Sequence, residues 1–321
     1  MVSESAGWRS LRVELASPAA TDIMRFVLRD PQGAELPEFE AGAHLVVRTP
    51  GGFERKYSLV NDPADRAHYE IAVLRDARGR GGSADMVDRV GAGDLIEVSG
   101  PRNDFGLAKS TGGYLFIAGG IGITPILSMI RHLVSQGETR FKLVYLTRSA
   151  AQTAFAESLA DPAIAPRVTV HHDAGDPERA FDLWPMLERP AGRQVYCCGP
   201  AGLMTAVRDM TGHWSASSVH FEAFADGAAA KAVDESFFVQ LARSGARLEV
   251  PPGVSILDAM RAAGHECPSS CESGSCGTCR TGLLEGSVDH RDFVLVAEER
   301  ETHIMICVSR AASGSELVID R

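Results

Sequence analysis

A multi-domain chain is predicted, with an antiparallel β-barrel, a parallel-sheet α/β domain and a smaller α+β domain. Three observations predict it. Residues 1–108 run in short alternating apolar and polar stretches broken by Gly, Pro, Asn and Asp. Residues 109–227 change to unbroken apolar runs interleaved with helical periods. Residues 228–321 hold a hairpin, one amphipathic helix and a group of cysteines, after a small-residue linker expected at about 226–233. A length of 321 residues accommodates two or three such domains.

The totals narrow the function classes. A net charge of −10 argues against nucleic-acid binding, which needs basic patches. The first residues lack a basic run followed by an apolar core, so no secretory signal is expected. The longest apolar stretch, 114–127, is interrupted by Gly119, Gly120, Gly122 and Pro125 and is too short and broken to span a bilayer. A cytoplasmic protein is expected. The charge is uneven, since residues 231–321 hold 14 Asp/Glu against 9 Lys/Arg. That acidity suits docking to a basic partner, or simply a solvated face.

In the barrel region, strands are expected at 12–15, 23–28, 44–47, 69–74 and 95–98. Two segments there look chemical. Arg55-Lys56-Tyr57-Ser58 places a cation, an aromatic ring and a hydroxyl on an extended run. Gly79-Arg80-Gly81-Gly82-Ser83 precedes a helical stretch at 84–88. Free backbone N–H groups, a positive helix end and a guanidinium there make a phosphate site. Taken singly, each also reads as an edge strand or a flexible loop.

In the middle region, Tyr114-Leu115-Phe116-Ile117-Ala118 is apolar throughout, as for a strand buried on both faces. It enters Gly119-Gly120-Ile121-Gly122-Ile123-Thr124-Pro125 and then a helical pattern through Ile126, Leu127, Met129, Ile130, Leu133 and Val134. Strand, glycine turn and helix start form a dinucleotide layout, although the turn is not a strict G-x-G-x-x-G. The alternation continues with a strand at 141–146 leading to Thr147 and Arg148, a helix at 154–159, and a strand at 168–172 ending at Asp173. A strand at 194–198 follows, then Gly199-Pro200, a helix at 201–210 and the closing Phe221-Glu222-Ala223-Phe224. Ligands in such sheets sit at the C-terminal strand ends. Asp173 could accept from both ribose hydroxyls and repel a 2′-phosphate, whereas Arg148 could do the opposite; the balance favours NADH.

In the last region a hairpin is expected from 236–243 and 246–250, and a helix at 254–264 capped by Ser255 and stopped by Gly264. Then come Cys271, Cys276 and Cys279, spaced C-x4-C-x2-C, and Cys307 on a strand expected at 304–308. A zinc ribbon would pair two short C-x2–4-C knuckles, and disulfides suit an oxidising compartment. One triplet with a distant fourth cysteine is instead the spacing of plant-type [2Fe-2S] sites. Cys267 falls outside this pattern and is expected as a packed free thiol.

These motifs together resemble a known family. Arg55-Lys56-Tyr57-Ser58 with the Gly-Gly-Ser turn resembles the flavin barrel of the ferredoxin–NADP reductase superfamily, and Pro101-Arg102-Asn103-Asp104-Phe105 matches that barrel's exit. Gly-Gly-Ile-Gly-Ile-Thr-Pro and Cys198-Gly199-Pro200, about 80 residues apart, resemble its paired nicotinamide signatures. Hairpin, helix, cysteine loop and strand match the β-grasp fold of plant-type ferredoxins. In this order the modules resemble the phthalate dioxygenase reductase family, which includes vanillate demethylase reductases.

The resemblance implies an oxidoreductase that moves hydride from NADH to FMN and single electrons through a [2Fe-2S] cluster to a terminal oxygenase, expected to be of Rieske type. It implies FMN over FAD; the short phosphate loop and the lack of an adenine-clamping segment agree. Arg55, Lys56, Tyr57, Ser58, Ala72, Val73, Leu74, Arg80, Gly81, Gly82, Ser83 and Thr124 would hold the flavin, with Glu222 and Phe224 covering it. Gly119, Gly120, Gly122, Thr147, Arg148, Asp173, Cys198, Gly199 and Pro200 would hold the nucleotide. Ser58, Thr124 and Cys198 would act at the hydride step, while Cys197 would point into the core. Cys271 and Cys276 would hold the outer iron, and Cys279 with Cys307 the inner one. A monomer is expected. The other class to weigh is a stand-alone oxidase, quinone reductase or redox sensor without an oxygenase partner.

Overall fold

The computed structural model describes residues 7–77, 79, 81–224 and 234–321. Arg80 and the linker expected at 226–233 lie outside the described residues. The chain forms two compact units, Met1–His220 and Phe221–Arg321.

The first unit opens with six strands: β1 (Arg9–Ala20), β2 (Ile23–Arg29), β3 (His44–Arg48), β4 (Glu54–Ser58), β5 (Tyr69–Leu74) and β6 (Leu95–Arg102). They pair antiparallel in the order β4-β3-β6-β1-β2-β5. The two ends of this sheet meet. Leu59 bridges to Ile71, and Val60 N–H donates to Glu70 O at 2.8 Å. The sheet therefore closes into a barrel, which leaves no free edge. Alternate residues such as Leu11, Val13, Phe26, Leu45 and Val73 fill its interior. Helix α1 (Gly82–Arg89) adds Met86, which is fully buried in the same core.

A second sheet follows, from β7 (Tyr114–Gly119), β8 (Phe141–Thr147), β9 (Val168–His172), β10 (Gln194–Cys198) and β11 (Val219–Glu222). Its order is β11-β10-β7-β8-β9, and β7, β8, β9 and β10 run parallel. The reversal of direction between β7–β8 and β7–β10 is the point where such sheets bind ligands. Helix α2 (Ile123–Ser135) packs its apolar face under β7 through Ile126, Met129 and Ile130. The helix expected at 154–159 is shorter, as α3 (Ala156–Leu159). Its start is delayed because Phe155 takes a left-handed φ of 59° and Ala154 N–H is held by the Tyr145 hydroxyl at 3.2 Å. Two further helices complete the unit, α4 (Trp184–Leu187) and α5 (Ala201–Met210).

The second unit contains β12 (Phe237–Leu241), β13 (Arg247–Val250), α6 (Ile256–Ala262), β14 (Arg280–Glu285), β15 (Val288–Asp289), α7 (Ala297–Arg300), β16 (His303–Met305), β17 (Arg310–Ala311) and β18 (Leu317–Ile319). The main sheet is mixed, in the order β13-β12-β18-β14-β16, with β12 and β18 parallel. Ser255 caps α6 by accepting from Asp258 N–H at 3.0 Å. Gly264 ends it with a φ of 83°. The strand expected at 304–308 stops at Met305. Val308 and Ser309 N–H groups both turn back to Met305 O, at 3.3 and 3.0 Å, so Cys307 sits in a turn. Residues 304–308 are buried in either conformation, which is why apolarity alone suggested a longer strand.

Among the described residues no helix is long and apolar enough to cross a membrane. All five tyrosines have phenol pKa values raised by burial, Tyr57 and Tyr196 to about 12 from an ordinary 10. Their neutral forms are favoured by folding, so this stability is complete below pH 10 and is lost as pH rises through 12. A spectroscopic titration should show little phenolate near pH 10 until the protein unfolds. Early titration of all five in the folded protein would contradict their packing.

Candidate functional site

Strand β4 carries the first group. Alternation puts Arg55 and Tyr57 on one face. Lys56 lies exposed between them, and Ser58 is buried at the strand end. The Tyr57 ring packs on the barrel core, and its hydroxyl is buried without a hydrogen-bond partner among the described residues. The start of α1 lies against Arg55: a β-carbon on Gly82 would fall 2.6 Å from Arg55 Nε and 2.9 Å from Cζ. Gly81 precedes the helix with a φ of 81°. Ser83 Oγ accepts from Asp76 N–H at 3.1 Å and keeps its own hydrogen to donate. A guanidinium laid on a helix N-terminus, beside an unpartnered buried hydroxyl, fits a phosphate-bearing cofactor. On β5, Ala72 is buried and Leu74 exposed, whereas the Val73 side chain belongs to the barrel core. Val73 could therefore offer a flavin only its backbone.

The second group is where β7 and β10 end. A β-carbon on Gly122 would lie 2.2 Å from Cys198 O; one on Gly119 would lie 2.6 Å from Pro200 Cδ; one on Gly199 would lie 2.9 Å from Gly119 Cα. The two glycine motifs thus touch backbone to backbone, and Gly120, in the first of them, faces open space with a φ of 54°. Thr124, buried in the first turn of α2, donates to Ile121 O at 3.0 Å. Cys198 is fully buried in the same extended apolar core that holds Ala118, Ile123 and Ala72. Cys197 is buried too, and desolvation pushes its thiol pKa strongly up.

At the far strand ends, Thr147 Oγ1 lies 2.8 Å from His172 Nδ1 and 2.9 Å from Thr153 Oγ1. Arg148 is exposed. Asp173 accepts from Gly175 N–H at 2.7 Å, which shapes the turn after β9. Glu222 is buried at the end of β11, and Phe224 is exposed.

The third group is the cysteine loop. Among the described residues no three His, Cys, Asp or Glu side chains converge on a single ion position. The cysteines meet instead as two pairs. Cys271 is held towards the thiolate by a hydrogen bond from Cys276, whose own pKa is raised; Cys279 is lowered by Cys307, whose pKa is raised in turn. Backbone N–H groups of Ser273 and Ser275 both point at Cys271 Sγ at 3.4 Å. Cys279 and Cys307 are buried, and Cys271 and Cys276 are half-buried. Two thiols per metal, with inward amides, fit a two-iron cluster better than one tetrahedral zinc. A β-carbon on Gly274 would meet Val308 Cγ2 at 2.7 Å, so glycine allows the loop to press on the Cys307 turn. Cys267 stays outside, packed with its Sγ 3.8 Å from Met260 Sδ.

Family models match in the same three places. The oxidoreductase FAD-binding domain matches residues 10–106, the oxidoreductase NAD-binding domain 116–209, and the 2Fe-2S iron-sulfur cluster binding domain 239–312. The chain is 51% identical over 315 residues to the phthalate 4,5-dioxygenase oxygenase reductase subunit of Pseudomonas putida, covering 98% of this chain and 97% of that one. It is 50% identical to phthalate dioxygenase reductase of Burkholderia cepacia, over 98% of each chain. The chain belongs to the phthalate dioxygenase reductase family. A solved structure described as phthalate dioxygenase reductase, modular for electron transfer from pyridine nucleotides to [2Fe-2S], matches with a TM-score of 0.72 and 49% identity over 98% of both chains. As a member of this family, the protein is a pyridine-nucleotide-dependent flavin and iron–sulfur oxidoreductase.

Sequence reasoning missed one buried carboxylate and its two arginine partners. Glu70, buried in β5, is bonded to Arg25 at 2.5 Å and to Arg131 of α2 at 2.8 Å. A charged residue inside the apolar run 69–74 was the only signal.

Two outcomes follow from this geometry. Gly122→Ala should cost about 1–3 kcal/mol of stability, because its β-carbon overlaps a backbone carbonyl that cannot swing away. Thermal melts and nucleotide titration check it; unaltered nucleotide affinity would contradict the backbone contact. Cys307→Ser should remove iron and sulfide while flavin content and ferricyanide reduction by NADH persist. Joint loss of both activities would mean that the modules are not separable.

Proposed function

We propose that this protein takes hydride from NADH onto FMN and delivers electrons singly, through a [2Fe-2S] cluster, to a terminal oxygenase of Rieske type. It would act as a monomer in the cytoplasm, where thiols stay reduced. The observation that carries this reading is the loop of Cys271, Cys276 and Cys279, with its inward amides and its press on the Cys307 turn, in a chain that also holds a nucleotide fold. A hydride source and a one-electron outlet require a carrier that handles both. When bound, the flavin supplies that conversion.

The chain's own residues bind and orient. Arg55 and the N-terminus of α1 would balance phosphate charge, and the buried Tyr57 hydroxyl would gain the partner it lacks. Ser58 and Thr124, both buried, would align the reacting rings by hydrogen bonding. Cys198, fully buried, would keep water from the nicotinamide. No protein acid or base is needed. The absence of an adenine-clamping segment in the sequence supports FMN, and Asp173 at the end of β9 supports NADH. Cys271 and Cys276 would hold the more exposed iron and Cys279 with Cys307 the inner one, in line with their burial. The relatives' names as dioxygenase reductases support an oxygenase as the acceptor, and the Rieske type follows the family resemblance.

Anaerobic NADH titration of the purified protein tests this reading. Flavin and cluster absorbance should bleach in succession, iron and sulfide should be present without zinc, and released flavin should be FMN. A colourless protein, or zinc without iron, sinks the proposal. Oxygenase-coupled turnover should accompany cytochrome c reduction; oxygen or quinone consumption without any oxygenase would favour the stand-alone oxidase.

A further inference from the structure

Helix α2 carries the nicotinamide loop at its head and a polar stripe down its side. Thr124, Ser128 and Arg131 are four and three residues apart, so they share one face. Thr124 lies in the first turn, and Arg131 comes seven residues later, about 10 Å along the axis. Ser128 is fully buried and donates to Asn61 O at 2.9 Å. Arg131 NH1 donates to Val60 O at 2.9 Å and to Glu70 Oε2 at 2.8 Å, and NH2 donates to Ser158 Oγ at 3.1 Å. Val60 and Asn61 lie two and three residues after Ser58, on the stretch that leaves β4.

The other half of the clamp is equally local. Glu70 N–H donates to Asn61 Oδ1 at 3.0 Å, and Glu70 O accepts from Val60 N–H at 2.8 Å. The Glu70 carboxylate, with a relative side-chain exposure of 3%, spans Arg25 on β2 and Arg131 on α2. One buried carboxylate therefore ties the barrel wall, the exit of β4 and the middle of α2 together. Such contacts could be replaced by apolar packing if only cohesion were needed. Their fork geometry does more, because a planar guanidinium meeting a carbonyl, a carboxylate and a hydroxyl allows little sliding.

We propose that Arg131 and Glu70 are positioning residues, which set the nicotinamide loop at the head of α2 against the flavin strand that ends at Ser58. This rests on the flavin and nicotinamide assignments above. Neither residue touches the reacting rings. They act through α2 and through the exit of β4. Alignment of reacting atoms is steep in distance, and an ångström of slip costs about 10²-fold in rate.

The test uses the full-length holoprotein as Arg131→Met, Arg131→Lys and Ser128→Ala. Rapid mixing with NADH should show the limiting rate of flavin bleaching falling about 10- to 100-fold in Arg131→Met, with nucleotide Kd changed less than about threefold. Arg131→Lys, which keeps the charge but loses the fork, should fall between it and the parent. Hydrogen exchange should accelerate at residues 58–62 and 123–131 without a change at β7 and β8. If Arg131→Met does not fold, Ser128→Ala should still show the split at smaller amplitude. An unchanged limiting rate in the variants, or a loss confined to nucleotide affinity, overturns the proposal. Failure of the parent protein to bleach at all would instead overturn the functional reading on which it rests.

Discussion

At the ends of β7 and β10 two backbones meet with no space for a β-carbon, and much of the first unit follows from that contact. Gly122 against the Cys198 carbonyl, and Gly119 against Gly199 and Pro200, bring the start of α2 and the Cys-Gly-Pro turn to one point. Only a parallel pair such as β7 and β10, in register from Tyr114 opposite Gln194 to Ala118 opposite Cys198, delivers both loops to the same end. A ligand entering there faces helix-start amides and a wall of buried apolar residues. Nothing bulkier than glycine could hold that spacing.

The charges divide by burial. Pairs on the barrel surface, such as Arg48 with Glu97 or Arg75 with Asp88, are solvated and contribute little. Glu70 differs, because its buried carboxylate is shared between Arg25 and Arg131, and only loss of both would strand the charge. The second unit has its own counterpart. Arg310, almost fully buried, donates to carbonyls of Val254, Glu235, Val250 and Pro251, while Arg291 pairs with Asp234 at 2.5 Å. Arg310 thereby satisfies buried backbone oxygens, and Arg291 neutralises a buried carboxylate.

The cysteine loop follows another logic. Its amides turn inward, and one glycine lets it lie on the Cys307 turn. Phe293 N–H fixes Gly274 O at 3.0 Å, and Asp292, fully buried, accepts from Val294 and Leu295 N–H groups. Backbone donors aimed at sulfur also favour the reduced or more charged state of a cluster. The Phe293, Asp292 and Val308 part of this support lies outside the cysteine motif.

Local chemistry made much of the protein legible from its residues. Cysteine spacing, the two glycine motifs, the Arg55-to-Ser58 run and the change in hydrophobic period all act over a few residues, and each was readable in order. The Ser255 cap, the Gly264 stop and the hairpin at Gly245 are equally local. What depends on partners distant in sequence was not readable. The barrel closure at Leu59 and Ile71, the loss of Val73 to the core, the end of β16 before Cys307 and the delayed start of α3 at Phe155 are decided by which surfaces meet. The Glu70–Arg131 bond joins residues 61 positions apart, and no periodicity records it. Sequence alone determined the fold class of the modules, because those signals are short-range. Only the tertiary structure decided which backbones touch and which charges are buried together, because burial belongs to the packed chain and not to any segment of it.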